Sequence, residues 1–431
     1  MTTKTTTPST SLALTAAVVL AVSGAVVTGA ATAFGSGQAS GSGPASGVAP
    51  KGDRVMRDVA RQVLGAGAPG YTARIDDGHR VSLTTAGVAD RATGRKLTGH
   101  DQFEIGSNTK TFMSALTLQL VDDGKVDLDA PVSGYLPGTV PGGDAITVRM
   151  LLNHTSGLFS YTADEDFAKG LTTDPERVWT PRELLDVAFA HDPEFAPGQG
   201  WSYSNTNYTL IGMLLEKLTG ERLPDLVRER IAAPLGLRNT YFADPAATNT
   251  GPGYAHGYSV SFAGTEPAYT DTATWPIGGW GGAAGAIVSD QRDLSRFFSG
   301  LLGGELFSAE QLRQMKTTVD LPGDFLYQGG YGLGIFRLDS ACGTVWGHGG
   351  DTNGHHSTAV ATGDGRRTAV SDTTAEPGDL ETSDGAERFV EVAVAAQEVT
   401  VCEMLGEPVP GEVTDALHGT TATTSAATTG R

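Results

Sequence analysis

Val55, Val59 and Val63 recur at i, i+4 and i+8 ahead of Gly65, and this spacing predicts an amphipathic helix. The apolar period then shortens. Residues 71–75 and 80–86 read as strands joined by the turn-forming run Asp76-Asp77-Gly78-His79, which is a hairpin signal. Phe112, Leu116 and Leu120 restore the helical period as far as Gly124, predicting a second amphipathic helix that opens near Ser107. From about 127 to 270 the pattern is helical and loop-rich, with helices predicted over 148–153, 181–190, 207–218 and 223–231. A strand at 284–288 and a helix at 290–302 follow, and 331–338, 345–347, 357–362 and 368–372 read as successive antiparallel strands. Phe389, Val392, Ala396 and Val399 then mark a last helix over 385–404. Strands early, helices in the middle and strands late predict an α/β fold of the α+β type. An antiparallel sheet flanked by helices (53–126 and 275–405) would be interrupted by an all-helical part (127–274). Active sites favour such domain interfaces.

The two ends depart from this patterning. Lys4 is the only charge ahead of the apolar run 12–27, and Ala31-Thr32-Ala33 supplies a small-x-small cleavage site, so 1–33 reads as a signal peptide and the protein as secreted. Thr15, Ser23 and Gly24 break the run, so no stable membrane anchor is expected; an uncleaved anchor is the alternative. Residues 34–52 read as a flexible Gly/Ser/Ala linker and 406–431 as a disordered Thr/Ala-rich tail, leaving 53–405 as the folded body. A net charge of −19 excludes a nucleic-acid partner, whose phosphates need a basic face. Nothing in the chain demands more than a monomer. The only cysteines, Cys342 and Cys402, suggest one disulfide in an exported protein, with two buried free thiols as the alternative. No Cys or His cluster has metal-ligand spacing, and the adjacent pair His355-His356 suits neither a helix face nor a finger, so no metal site is read.

Candidate chemistry starts at Ser107 and Lys110. On a helix, residues three apart share a face, so the lysine would lie beside the hydroxyl and help remove its proton. Alone this pair is weak. Two later segments complement it. Tyr203 and Asn205 sit in a polar loop ahead of the helix at 207. A phenol beside an ammonium has its pKa lowered, which would make Tyr203 a base toward Ser107 and an acid toward the leaving group; Asn205 would hold a substrate amide oxygen or Lys110. The competing reading is a simple helix-capping loop. His348-Gly349-Gly350-Asp351 ends a predicted strand whose glycines let a substrate backbone approach, and whose amide near Asp351 could join that of Ser107 in an oxyanion hole. A plain hairpin turn is the alternative there.

In this order the three elements resemble the penicillin-recognising serine hydrolases, most closely serine D-alanyl-D-alanine carboxypeptidases related to class C β-lactamases. That family carries Ser-x-x-Lys, Tyr-x-Asn and His/Lys-Thr/Ser-Gly, here Ser107–Lys110, Tyr203–Asn205 and His348–Gly350. The stretches 120–129, 146–158 and 203–208, with Trp280 ahead of Ala284-Gly-Ala286 and the run Tyr331-Gly-Leu-Gly334, look like family text too. The resemblance implies an acyl-enzyme on Ser107, proton shuttling by Lys110 and Tyr203, and an oxyanion held by the Ser107 and Asp351 amides. It also implies a β-lactamase/DD-peptidase-like fold, no cofactor, a Cys342–Cys402 disulfide, and Trp280 and Phe159 as cleft walls unless they are ordinary core aromatics. D-Ala-D-Ala peptides would be substrates and β-lactams acylating ligands.

One departure stands out. The family's peptidases often have Thr within the third motif and just after it, where the hydroxyls bind a terminal carboxylate; here Gly349 and Asp351 stand instead. Two carboxylates about 4 Å apart repel by roughly 4 kcal/mol at an effective dielectric near 20. Arg337 on the preceding strand would offset this, unless it is a solvated surface residue. The first expectation is therefore a secreted D-Ala-D-Ala carboxypeptidase. An esterase or D-amino-acid amidase on the same fold comes second, and a non-catalytic sensor module third.

Overall fold

The computed structural model describes residues 51–323, 328–377 and 383–419. The expected signal peptide and nearly all of the linker lie outside them. Helix Lys51–Gly65 opens the described chain, burying Met56, Val59 and Val63, with Val55 at the rim of the core.

Nine strands form one antiparallel sheet. Across it lie Arg95–Lys96, Val81–Asp90, Gly70–Asp76, Thr368–Thr373, His356–Ala361, Gly343–Asp351, Phe336–Ser340, Gly329–Tyr331 and Val319–Asp320. The N- and C-terminal parts of the chain thus meet at its centre, where Thr72 pairs with Asp372. Side chains alternate across a pleated strand. Val360 accordingly packs with Val59, Val392 and Val399 beneath the first helix and the last, Asp384–Leu405, while Ala359 and Ala361 face the opposite core with Phe112 and Phe297. This second core is lined by helices Thr109–Asp122, Asn205–Thr219 and Gln291–Leu302. The expected sheet-and-helix architecture is present.

Four expectations need correction. Helix Thr109–Asp122 is not amphipathic: eleven of its fourteen residues are buried. It runs through the centre of the molecule, and its polar side chains find partners there. Thr111 donates to the Gly334 carbonyl at 2.7 Å, and Ser114 shares a hydrogen bond with Tyr208 at 3.0 Å. Second, the part expected to be all-helical contains a hairpin, Tyr258–Ala263 with Glu266–Asp271, pairing with Glu376–Pro377. In its first strand Tyr258, Val260 and Phe262 alternate with serines and pack into the core, so a strand pattern is present there, while Glu266–Asp271 is largely exposed. Third, the strand expected at 331–338 is two strands, with a sharp turn between them. Gly334 has φ 73°, and a Cβ there would fall 2.0 Å from Ser114 Oγ. The strand expected at 284–288 likewise begins as a helical turn, Gly282–Gly285. Fourth, the expected tail is structured through 418: helix Gly411–His418 buries Leu417 against the first and last helices. The Cys342–Cys402 disulfide is formed, joining the turn after Phe336–Ser340 to the last helix across 60 residues of sequence.

Candidate active site

Ser107 sits in a single tight turn, Gly106–Asn108, that feeds directly into the central helix. Two glycines put this turn against the third-motif strand. Gly106 has φ 49°, and a Cβ there would lie 2.7 Å from the Asp351 nitrogen. A Cβ on Gly350 would lie 1.9 Å from the Ile105 carbonyl. Both positions need glycine because two backbones touch. The same contact brings the Asp351 backbone beside the Ser107 turn, as the expected oxyanion hole requires. Asn108 ties the turn down, donating to the Ile105 carbonyl and to Ser357 Oγ, each at 3.1 Å.

Lys110 is completely buried. Its Nζ lies 2.8 Å from Ser107 Oγ and 2.9 Å from the Ala284 carbonyl. Burial pushes its pKa well below the usual 10.5, only partly opposed by the Asp351 carboxylate. A neutral amine carries the lone pair that an ammonium lacks, so Lys110 is the group able to take the serine proton.

Tyr203 corrects the expected phenolate. Its ring lies 4.8 Å from Lys110 Nζ, but burial dominates and holds its pKa well above 10, although Ser107 pulls the other way. The hydroxyl is buried and makes no hydrogen bond among the described residues. Tyr203 is therefore protonated at neutral pH, and of the two groups Lys110 has the pKa shift that suits a base. His154, expected only as part of the family-like stretch 146–158 and given no role there, packs against this tyrosine. It holds a left-handed backbone (φ 63°), its Nδ1 accepts from the Ser204 amide at 3.1 Å, and its ring packs 4.3 Å from that of Tyr203. The signal was an unusual backbone demand in Asn153-His154-Thr155, which no local pattern discloses.

Asn205 is the first residue of helix Asn205–Thr219, two residues earlier than expected, and donates to Thr162 Oγ1 at 2.9 Å rather than to Lys110. Ser204 occupies the cap position without a side-chain capping bond, so the loop is not explained by capping. His348 is buried and both ring nitrogens are engaged, Nδ1 with the Gly349 carbonyl at 2.6 Å and Nε2 with the Tyr331 hydroxyl at 3.0 Å. Burial, with Lys110 nearby, lowers its pKa to about 3. It is a neutral orienting group, not a charge or a proton carrier.

Ser107, Tyr203, Asn205, Trp280, His348, Gly349 and Asp351 all line one cavity of about 340 Å³. Four expected residues do not. Lys110 is fully buried against Ser107. Gly350 faces the Ser107 turn, as its contact shows. Phe159 stacks on His191 with ring centres 4.0 Å apart. Arg337 points to the far side of its strand, where it pairs with Asp339 at 3.3 Å, while its neighbours Phe336 and Leu338 line the cavity; the period-2 alternation makes this unavoidable.

The residue that does answer Asp351 is His356, directly opposite it in the strand pair. Its Nδ1 lies 2.6 Å from Asp351 Oδ1 and 3.8 Å from Glu376 Oε2. The two carboxylates outweigh its burial and raise its pKa to about 9. Adjacent histidines on a strand face opposite ways, so His355 instead meets Asp372, at 3.2 Å. The ligand-capable atoms of Asp351, His356 and Glu376 lie within 4.8 Å of one another, a grouping that sequence spacing does not reveal.

A serine on a tight turn, a buried lysine of lowered pKa against it and a protonated tyrosine beside the same cavity are the parts that acyl transfer needs. The Beta-lactamase family profile matches residues 56–391. The chain belongs to the β-lactamase family. Within it, the chain is similar to the D-stereospecific amidohydrolase from Streptomyces sp., at 36% identity over 83% of this chain and 100% of that one, with a TM-score of 0.72. It is also similar to the D-amino acid amidase from Ochrobactrum anthropi SV3, at 28% identity over 80% and 99% of the two chains, with a TM-score of 0.68. Esterase EstB of Burkholderia gladioli is 32% identical over 203 residues, 44% of this chain and 50% of its own. The chain spans about six-tenths of the length of the first curated relatives it matches.

Proposed function

We propose that this member of the family is an exported serine amidohydrolase that opens small amides and esters of D-amino acids through an acyl-enzyme. The observation that carries this reading is the charge of the cavity wall. Asp351 and Glu376 line it with His356 as their one cation, and among the described lining residues there is no lysine or arginine. A free carboxylate beside the scissile bond would find that cation already paired with Asp351. An amide or ester without one needs no such partner. The similarity to a D-stereospecific amidohydrolase along that protein's whole length supports the same choice.

In this mechanism Ser107 Oγ attacks the carbonyl carbon as neutral Lys110 Nζ, 2.8 Å away, takes its proton. Oxyanion charge develops against the backbone amides of Ser107 and Asp351. The Tyr203 hydroxyl protonates the leaving nitrogen and is recharged by the Lys110 ammonium. The C–N bond breaks, the amine departs, and water releases the acyl group with the same residues working in reverse. Trp280 and Leu171 supply apolar wall for the side chain.

The D-alanyl-D-alanine carboxypeptidase reading, with β-lactams as acylating ligands, retains one supporting observation. His356 is protonated at neutral pH, and an imidazolium can meet a carboxylate. Its partner Asp351 already occupies it at 2.6 Å, which is why we place this reading second. The deciding assay uses the full chain with D-phenylalaninamide, a short p-nitrophenyl ester and a diacylated D-Ala-D-Ala peptide, alongside labelling by fluorescent penicillin. Amide and ester turnover should exceed D-Ala release; the reverse order would overturn the proposal.

A further inference from the structure

The cavity wall holds a buried carboxylate oxygen that no donor reaches among the described residues. Asp351 and Glu376 bring two carboxylates to the cavity and His356 one imidazolium. His356 spends its Nδ1 proton on Asp351, at 2.6 Å. Glu376 is 6% exposed and lines the cavity, yet its Oε1 has no hydrogen-bond partner among the described residues. A buried carboxylate oxygen without a donor is costly, and native structures seldom leave one unless a ligand supplies the donor. Glu376 has no local sequence reason to be there. It belongs to a two-residue strand, Glu376–Pro377, placed by parallel pairing with the hairpin strand Tyr258–Ala263.

Resting on the amidohydrolase reading, we infer that the Glu376–Asp351 pair is the binding site for a free protonated amino group on the substrate. An ammonium has three donors, enough for Glu376 Oε1 and a second oxygen of the cluster. Its charge also favours the ionised form of Glu376. A divalent metal fits less well. His356 Nδ1 would have to give up both its proton and its 2.6 Å contact with Asp351 before it could act as a ligand. Burial, with the neighbouring Asp351, raises the Glu376 pKa well above 4.5. An arriving ammonium would stabilise the ionised form, and a proton held there would leave to solvent. Substrates would then be amides or esters of amino acids with an unblocked amino group, and acylating that group would remove the interaction.

The test measures binding apart from turnover. D-phenylalaninamide and N-acetyl-D-phenylalaninamide are titrated calorimetrically into the full-length Ser107→Ala chain and into the same chain carrying Glu376→Gln. The free amine should bind about tenfold or more tightly than its acetylated form, and Glu376→Gln should abolish that preference while leaving the acetylated compound unchanged. Asp351→Asn, at the more exposed member of the pair, should reduce the preference in the same direction and covers the case in which Glu376→Gln misfolds. An unchanged preference, equal loss for both compounds, or no saturable binding of the free amine would overturn the inference. One-to-one Zn²⁺ binding lost in Glu376→Gln, with no amine preference, would assign the cluster to a metal and overturn it as well. Glu376-dependent amine binding without hydrolysis by the native chain would leave this inference standing and sink the proposed function instead.

Discussion

Replacing Lys110 by Met separates the base from the rest of the site. Methionine keeps the unbranched bulk that fills this fully buried position and removes the nitrogen that sits 2.8 Å from Ser107 Oγ. A positioned general base contributes about 10²–10⁴-fold, so kcat/KM for the short p-nitrophenyl ester should fall by that factor, or about 3–5 kcal/mol of transition-state stabilisation. Two structural effects oppose each other in stability. The Ala284 carbonyl loses its 2.9 Å donor, at a cost of about 1–3 kcal/mol, while an apolar group replaces a desolvated amine. Thermal unfolding should therefore shift only modestly, which shows that the rate loss is chemical. The pH profile gives the sharper readout. Burial depresses the Lys110 pKa, so the reactive free base grows in as pH rises through that depressed value. Native kcat/KM should rise along this acid limb to a plateau, and the limb should vanish in Lys110→Met. Lys110→Arg should be equally inactive, because a guanidinium stays protonated. Retention of more than about a tenth of the native rate, or an unchanged acid limb, would refute the assignment of Lys110 as base.

Three further outcomes follow from the same geometry. His356 has its pKa raised to about 9 from an ordinary value near 6.5, so its contribution to stability is full below about 6.5 and disappears as pH rises through 9. His356→Gln should lower the melting temperature at pH 6 more than at pH 10, and an equal shift at both would show that the ion pair does not stabilise the fold. Gly350→Ala forces a methyl within 1.9 Å of the Ile105 carbonyl and should displace the Ser107 turn, cutting acylation by penicillin or ester at least about tenfold; native labelling rates would refute the contact. Opening the disulfide with Cys342→Ser and Cys402→Ser frees a loop of 60 residues, for which chain entropy gives about 4 kcal/mol, read as a lower denaturant midpoint without loss of kcat.

Much of the fold was legible because local periodicity and burial agree where an element has one wet face or one simple neighbour. The strands expected at 71–75 and 80–86 are Gly70–Asp76 and Val81–Asp90, and the helix expected at 385–404 is Asp384–Leu405. The reading failed where that agreement breaks. The hairpin strand Tyr258–Ala263 does alternate Tyr258, Val260 and Phe262 with serines, but its partner Glu266–Asp271 is largely exposed and the short pair was absorbed into a stretch read as helical. The turn at Gly334 is imposed by Ser114 pressing on it from another helix. In the site, Ser107, Lys110, Tyr203 and His348 could be named because each lies in a short motif. Arg337 and Phe159 were misplaced because the face a side chain takes depends on pairing partners far along the chain.

By itself the sequence determined the order of elements, the Ser107–Lys110 pair and the two motifs that complete it, since these depend on neighbours within a few residues. Tertiary structure decided their protonation. Burial lowers the Lys110 pKa, keeps Tyr203 protonated and leaves His348 uncharged, and burial is a property of everything packed around a residue. It also decided the environment of Asp351. The anticipated partner on the neighbouring strand, Arg337, faces away, while His356 and Glu376 reach Asp351 through a cross-strand pair and a short parallel strand. Charge balance in the cavity is set by distances between residues remote in sequence, and only the folded chain fixes those.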